Sequence, residues 1–260
     1  MAFTLLLERV SSSVKRASIS LGFYHQARTI RRHLNGSEMK TFLSDKKHYS
    51  RLLPQGGVLC FDVGANVGRI SEVLLELGHT VVAFEPQSDC IREIKGRCSA
   101  HKQHLRIRQV VLGDAPGEAS LFVHEARNLS SLKADWTGRV SGTIQVPVST
   151  LDMAIREFGL PHYCKIDVEG WELQVLLGLS QRIPLISFEY NQIDGKMQDA
   201  YGCLDRLHSL ADVRVNITAG EQLELALDEW TDADEFKAVF QKEFEGKAEF
   251  MYGDLYVRMS

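Results

Sequence analysis

No stretch of this sequence approaches the ~18 to 20 consecutive apolar residues that a bilayer-spanning helix requires. Nor does any Cys-x-x-Cys pair occur. The five cysteines (Cys60, Cys90, Cys98, Cys164 and Cys203) are scattered and odd in number, which argues against a disulfide framework or zinc site and for a reducing compartment. Cys60 and Cys164 lie inside apolar runs, where a free cysteine packs as a small core residue. A broad basic excess is also missing. The net charge of −4 and isoelectric point of about 6.1 argue against nucleic acid as a partner held on a wide basic face. The opening MAFTLLLERV lacks the basic n-region of a secretory leader, and Glu8 and Arg9 cut its apolar run short. A cytoplasmic location is the resulting expectation. There is no internal repeat and no low-complexity segment.

What is present suits one large α/β domain, or a domain of roughly 200 residues with an extension: 260 residues, 44% hydrophobic and 25% charged. Charge is placed unevenly. Between Arg9 and Ser37 stand six basic residues (Arg9, Lys15, Arg16, Arg28, Arg31 and Arg32) and no acidic one. Such a stretch either packs on the domain with its arginines in water or makes peripheral contact with an anionic membrane or a partner. The pattern predicts two short helices over residues 3–34, broken near Gly22, and another over 38–53 ending at Pro54 and the Gly56-Gly57 turn.

Beyond residue 57 the pattern changes. Val58–Val63 is a continuous apolar run, as expected of a buried parallel strand, with one acid near its end. Helices are predicted at Gly68–Leu77, Ser88–Ser99, Leu151–Phe158, Trp171–Leu179, Ala200–Ala211 and Ala233–Phe244. Further strands are predicted at Thr80–Phe84, Leu105–Leu112, Tyr163–Val168, Pro184–Tyr190, Val213–Ile217, Leu223–Leu227 and Phe250–Met259. Glu118–His124 and Thr143–Val148 alternate like an antiparallel pair. Strands alternating with helices imply a mainly parallel, doubly wound sheet.

In such a sheet a ligand sits beyond the carboxyl ends of the strands, near the point where strand order reverses. The first strand ends in Asp62, followed by Gly64, Asn66 and Gly68. Glycines there let the backbone approach a ligand closely, and the next helix offers free N–H donors. A dinucleotide fingerprint would need glycine where Asn66 and Arg69 stand, and the Lys-Ser/Thr pair of a phosphate-binding P-loop is absent. Asp62 repels a pyrophosphate but accepts from the ammonium of a methionine moiety. Glu85 ends the second strand 17 residues after Gly68, where a carboxylate can accept both ribose hydroxyls of an adenosine. Asp114, at the expected end of the third strand, is placed to accept from an adenine amino group. Three acids in register fit one zwitterionic nucleoside; the alternative is that they cap helices or sit in solvent.

At this point the residues resemble the FkbM-type methyltransferases. The matching pieces are FDVGANVG (61–68), AFEPQ (83–87), LGD (112–114), SSL (130–132), TLD (150–152), KIDVEGWE (165–172) and SFEYN (187–191), in family order over about residues 56–192. The resemblance implies a class I, Rossmann-like α/β fold: a seven-stranded, mostly parallel sheet, its last strand antiparallel, with helices on both faces. It implies S-adenosyl-L-methionine as cofactor, touched by Asp62, Gly64, Asn66, Gly68, Glu85 and Asp114. It also implies O-methyl transfer, often to a sugar or polyketide hydroxyl; one member type methylates fucose on rhizobial nodulation factors. Lys165, Asp167, Glu169 and Gly170 would border the transfer site. Residues 1–54 then form a helical extension and 55–260 the methyltransferase domain, acting on a small-molecule or glycan acceptor. Alternatives keep the fold but act on nitrogen or another metabolite, or serve as a non-catalytic binding module.

Methyl transfer from a sulfonium is an in-line displacement, so alignment is the enzyme's main work. An aliphatic hydroxyl also needs a base. Asp167 and Glu169 are the expected catalytic carboxylates. Strand alternation would put both on one side, their repulsion raising one pKa, with Lys165 on the same face offsetting it. Glu169 is alternatively a plain acid at a helix start. No metal is assigned, although Asp167, Glu189 and Asn191 form an oxygen set suited to Mg²⁺. Trp171 is a sugar-stacking wall or a core indole. His124 and His162 are remote candidates for the base. Asn128, Ser130 and Ser131, in the insertion before the fourth strand, offer groups that suit a glycan.

Overall fold

The computed structural model describes residues 36–124, 131–132, 140–192, 197–220 and 223–260. The helices expected over residues 3–34, the basic segment from Arg9 to Arg32, Asn128, Ser130 and the His124 side chain lie outside the described residues.

In chain order the main elements are α1 (Gly36–Leu52), β1 (Leu59–Val63), α2 (Arg69–Glu76), β2 (Thr80–Phe84), α3 (Ser88–Arg97) and β3 (Leu105–Arg108). Next come β4 (Val111–Leu112), β5 (Gly117–His124), β6 (Val140–Ser149), α4 (Leu151–Phe158), β7 (Tyr163–Ile166) and α5 (Glu172–Leu177). The chain closes with β8 (Leu185–Asn191), α6 (Met197–His208), β9 (Val213–Ile217), α7 (Ala233–Glu243) and β10 (Tyr252–Met259).

The apolar runs become the central strands of a seven-stranded sheet in the order β3-β2-β1-β7-β8-β10-β9. Only β10 runs antiparallel to its neighbours, β8 and β9. Alternation along the strands sends successive side chains to opposite faces. Phe61, Val63, Val82, Phe84, Ile166 and Phe188 meet α4–α7 on one face. Cys60, Val81, Ala83, Tyr163 and Leu185 meet α1–α3 on the other. Helices therefore cover both faces, as a doubly wound sheet requires. Chain order reverses at β1, which pairs with β2 on one side and β7 on the other. That reversal opens the crevice where a ligand belongs.

α1 is tied into this core. Tyr49 and Leu53 are buried in it, the Tyr49 and Tyr163 rings lie 5.6 Å apart, and Asp45 pairs with Arg69 of α2. Among the described residues no helix is long and apolar enough to cross a membrane.

Two expectations fail. The strand expected over Leu105–Leu112 is broken: β3 ends at Arg108, while Val111–Leu112 pairs with β6 in a separate three-stranded sheet, β4-β6-β5. At the break the Gln109 amide donates to Pro86 O and Ser88 Oγ, joining the chain to the segment that follows β2. The second failure is Leu223–Leu227, which is not a strand. Leu227 instead bonds through both its N–H and C=O to the side-chain amide of Asn216, which occupies the place of a backbone partner.

Candidate active site

The loop after β1 is shaped by close packing. Gly64 (φ 78°) and Gly68 (φ 76°) are left-handed, as is Asn66 (φ 48°), one of two described non-glycine residues at positive φ. A Cβ on Gly64 would collide with the Asp167 carbonyl oxygen, so this glycine lets the β1 and β7 ends approach each other rather than admitting a ligand. Gly68 packs against Ile94 of α3.

Asp62 lies beneath this loop, 1% exposed. Its Oδ2 accepts from Ser71 Oγ at 2.6 Å, so the acid expected to meet an ammonium also fastens α2 to β1. Burial raises its pKa, opposed by Lys165 and the Ser71 hydroxyl. Asp62 opens a row of buried polar side chains along one register line of the sheet: Asp62 pairs with Lys165, Lys165 with Ser187, Ser187 with Tyr256 and Tyr256 with Asn216. All face the α1–α3 side.

Glu85 stands at the end of β2. Its Oε2 accepts from Asn66 N and its Oε1 from Gln87 N, both at 2.8 Å. The carboxylate is thus aimed by the backbone on either side of it, with the Gln87 side chain adding a further hydrogen bond. Burial pushes its pKa up to about 7, against the pull of those two N–H donors.

Asp114 is placed differently from expectation. It is exposed in the turn between β4 and β5 and lines a surface cleft with Thr150, Asp152 and Arg156. The break after β3 removes it from the row of strand ends, and Gln109 follows β3 instead.

The carboxylates beyond β7 and β8 do converge. Lys165 Nζ donates to Asp167 Oδ2 at 2.6 Å, the lysine buried and the aspartate 40% exposed. Burial pulls the Lys165 pKa down, but Asp167, Asp254 and Asp62 together outweigh it and raise it. Carboxylate oxygens of Asp167, Glu169 and Glu189 lie within 4.8 Å of one another. Strand alternation does not produce this, since β7 ends at Ile166. A tight turn produces it, in which Glu169 (φ 55°) and Gly170 (φ 90°) are both left-handed. A non-glycine residue in that region costs about 1 kcal/mol or more. Glu189 is pushed up to about 9, first by burial and then by Asp167, Glu169, Glu172 and Asp254. Of the oxygen set Asp167, Glu189 and Asn191, the structure brings the Asp167 and Glu189 carboxylates together, with that of Glu169 beside them.

Other expected residues fall outside this centre. His162 precedes β7, at the opposite end of the strand from Asp167. Trp171 packs against the core, the indole reading of the two. Ser131 is buried, and its hydroxyl donates to the Glu169 carbonyl. Glu172 was given no role by sequence; its Oε1 accepts from Val168 N and Gly170 N. Burial pushes it up to about 7. The signal for it was an acid in the first helical turn after a Glu-Gly pair.

The profile of the FkbM methyltransferase domain matches residues 62–229. The chain belongs to the FkbM methyltransferase family. Its cofactor is S-adenosylmethionine. The match begins within β1 and runs past β9, so the carboxyl ends of β1, β2, β7 and β8 lie inside the family domain and β10 lies beyond it. No curated protein sequence matches the chain. Similar solved structures include precorrin-6y C5,15-methyltransferase from Geobacter metallireducens GS-15, at 9% identity over 83% of this chain and 86% of that one, with a TM-score of 0.45. A TehB-like SAM-dependent methyltransferase from Corynebacterium glutamicum shows 11% identity over 84% and 88%, TM-score 0.44. An rRNA methylase from Streptococcus thermophilus shows 11% over 82% and 93%, TM-score 0.42. Similarity at this level adds nothing to the family assignment. The Glu85 carboxylate, held in place at the end of β2, is of the chemistry that accepts from hydroxyl groups such as those of the family's cofactor.

Proposed function

We propose that this FkbM-family enzyme methylates a hydroxyl of a carbohydrate or related small-molecule acceptor at the ends of β7 and β8. The supporting observation is the convergence of Asp167, Glu169 and Glu189 around the Lys165–Asp167 ion pair. When bound, S-adenosylmethionine supplies an electrophilic methyl group on a sulfonium. Glu85 holds the ribose hydroxyls, and Asn66 and Gln87 hold Glu85 in place.

A neutral hydroxyl needs its proton removed as the new bond forms, whereas an amine free base already carries its lone pair. Asp167 is the carboxylate assigned to receive that proton. Lys165 donates to it and fixes its rotamer. Burial and the neighbouring acids raise the Glu189 pKa to about 9, which favours its neutral form beside Asp167. The cleft beside these acids is lined by Gly170, Glu172, Glu189, Asn191 and Asp199. Acceptors rich in hydroxyls satisfy such groups.

A screen with methyl-labelled cofactor against deoxysugar glycans, nucleotide sugars and lipid-linked oligosaccharides tests this reading. The expected product is an alkali-stable methyl ether recovered on a monosaccharide. Label recovered on an amine, or on no carbohydrate, would overturn it.

A further inference from the structure

We propose that Ser131 is a positioning residue, which clamps the Glu169–Gly170 peptide from the β5–β6 insertion and so aims the Glu169 carboxylate at Asp167 and Glu189. The inference rests on the reading that these three acids face the acceptor.

Ser131 is 1% exposed and belongs to the insertion between β5 and β6. Its own backbone is pinned: Ser131 N donates to Phe122 O and Phe122 N donates to Ser131 O, an antiparallel bridge onto β5. Its hydroxyl crosses to the turn after β7 and donates to the Glu169 carbonyl at 2.7 Å. The N–H of the same peptide unit, from Gly170, donates to Glu172 Oε1 at 3.2 Å. One peptide plane is thus held at its oxygen by the insertion and at its nitrogen by α5.

That plane fixes the ψ of Glu169 and the φ of Gly170 (90°) in a turn where Glu169 itself sits at φ 55°, a region that disfavours side chains. With the carbonyl released, the turn is free to relax from its disfavoured conformation through ψ of Glu169 and φ of Gly170. The Cα–Cβ bond turns with it, and the Glu169 carboxylate leaves the other two acids. Ser131 touches no reacting atom on this account. It acts through Glu169 and couples the insertion to the chemistry at the strand ends.

The test compares Ser131→Ala and Ser131→Thr in the full chain, with Ser141→Ala as control. The Ser141 hydroxyl donates to Val123 O on the same pair of strands, away from Glu169. Amide exchange by mass spectrometry reads the coupling without any acceptor, and turnover on an acceptor found by the labelled screen reads its consequence. Ser131→Ala should speed exchange over residues 166–172 and lower kcat up to about a hundredfold, the usual scale for a misplaced catalytic group. S-adenosylhomocysteine affinity should stay within about twofold and thermal stability near wild type. Ser131→Thr should restore both readouts, and Ser141→Ala should leave them unchanged. Unaltered exchange over 166–172 in Ser131→Ala would overturn the inference. So would a joint fall in cofactor affinity and thermal midpoint, which marks a merely structural serine. A screen that finds no carbohydrate acceptor strikes the proposed substrate class and leaves the exchange result to decide the role of Ser131.

Discussion

Lys165 Nζ lies 2.6 Å from Asp167 Oδ2, two residues along the same chain, with the ammonium buried and the carboxylate partly in solvent. This pair divides the site. On the Glu85 side the carboxylate is anchored by backbone N–H groups and suited to binding. On the Asp167 side the carboxylates are crowded and suited to proton transfer.

Asp167→Asn is isosteric and removes the base. Turnover should fall about a hundredfold or more, the scale of general-base catalysis. S-adenosylhomocysteine affinity by calorimetry should change less than about threefold, since Asp167 is not assigned to the cofactor. Equal losses in both would contradict this division of roles.

Glu189 gives a signed pH dependence of stability. Its folded pKa, near 9, is above its ordinary value, so its contribution is full below about 4.5 and is lost as pH rises through 9. Glu85 and Glu172 act in the same direction but are spent by about pH 7. The thermal midpoint should therefore fall between pH 7 and 9 in the wild type, and Glu189→Gln should flatten that fall. A variant that tracks the wild-type slope would refute the assignment.

How much of this was readable beforehand differs by residue. β1, β2 and the order of elements follow from apolar runs and glycine turns, which act locally; Thr80–Phe84 matches its prediction residue for residue. Glu85 was legible because a strand end is a fixed address. Asp114 was not, because the third strand stops at Arg108 and the chain joins a second sheet at Val111–Leu112, leaving the acid in the turn beyond it. The Asp167–Glu169 convergence was expected from strand alternation and arises instead from a left-handed turn. Glu172 and Ser131 hold that turn through side-chain bonds to its backbone; an acid in the first helical turn signals the first, and no local pattern signals the second. Asn216 replacing a strand partner for Leu227 is the same kind of event.

Excess EDTA separates an acid–base centre from a metal centre. Lys165 already supplies a cationic partner to Asp167, so turnover should survive chelation. Loss of activity restored by Mg²⁺ would instead make Asp167, Glu169 and Glu189 ligands.

Cofactor affinity should follow the ionisation of Glu85. Ribose hydroxyls donate to its carboxylate form, so binding strengthens as pH rises through about 7. Calorimetry from pH 6 to pH 8 should show this rise in the wild type and a flat profile in Glu85→Gln. The same flat profile in both would remove Glu85 from the binding step.

The most direct test is calorimetric titration of S-adenosylhomocysteine into wild type and Glu85→Ala at pH 8. Saturable one-site binding to the wild type, weakened about tenfold or more in the variant, is the predicted result, since a charged hydrogen-bonding group contributes about 1.5–3 kcal/mol. No heat at millimolar ligand, or equal affinity in both proteins, would contradict a cofactor site built on the Glu85 carboxylate.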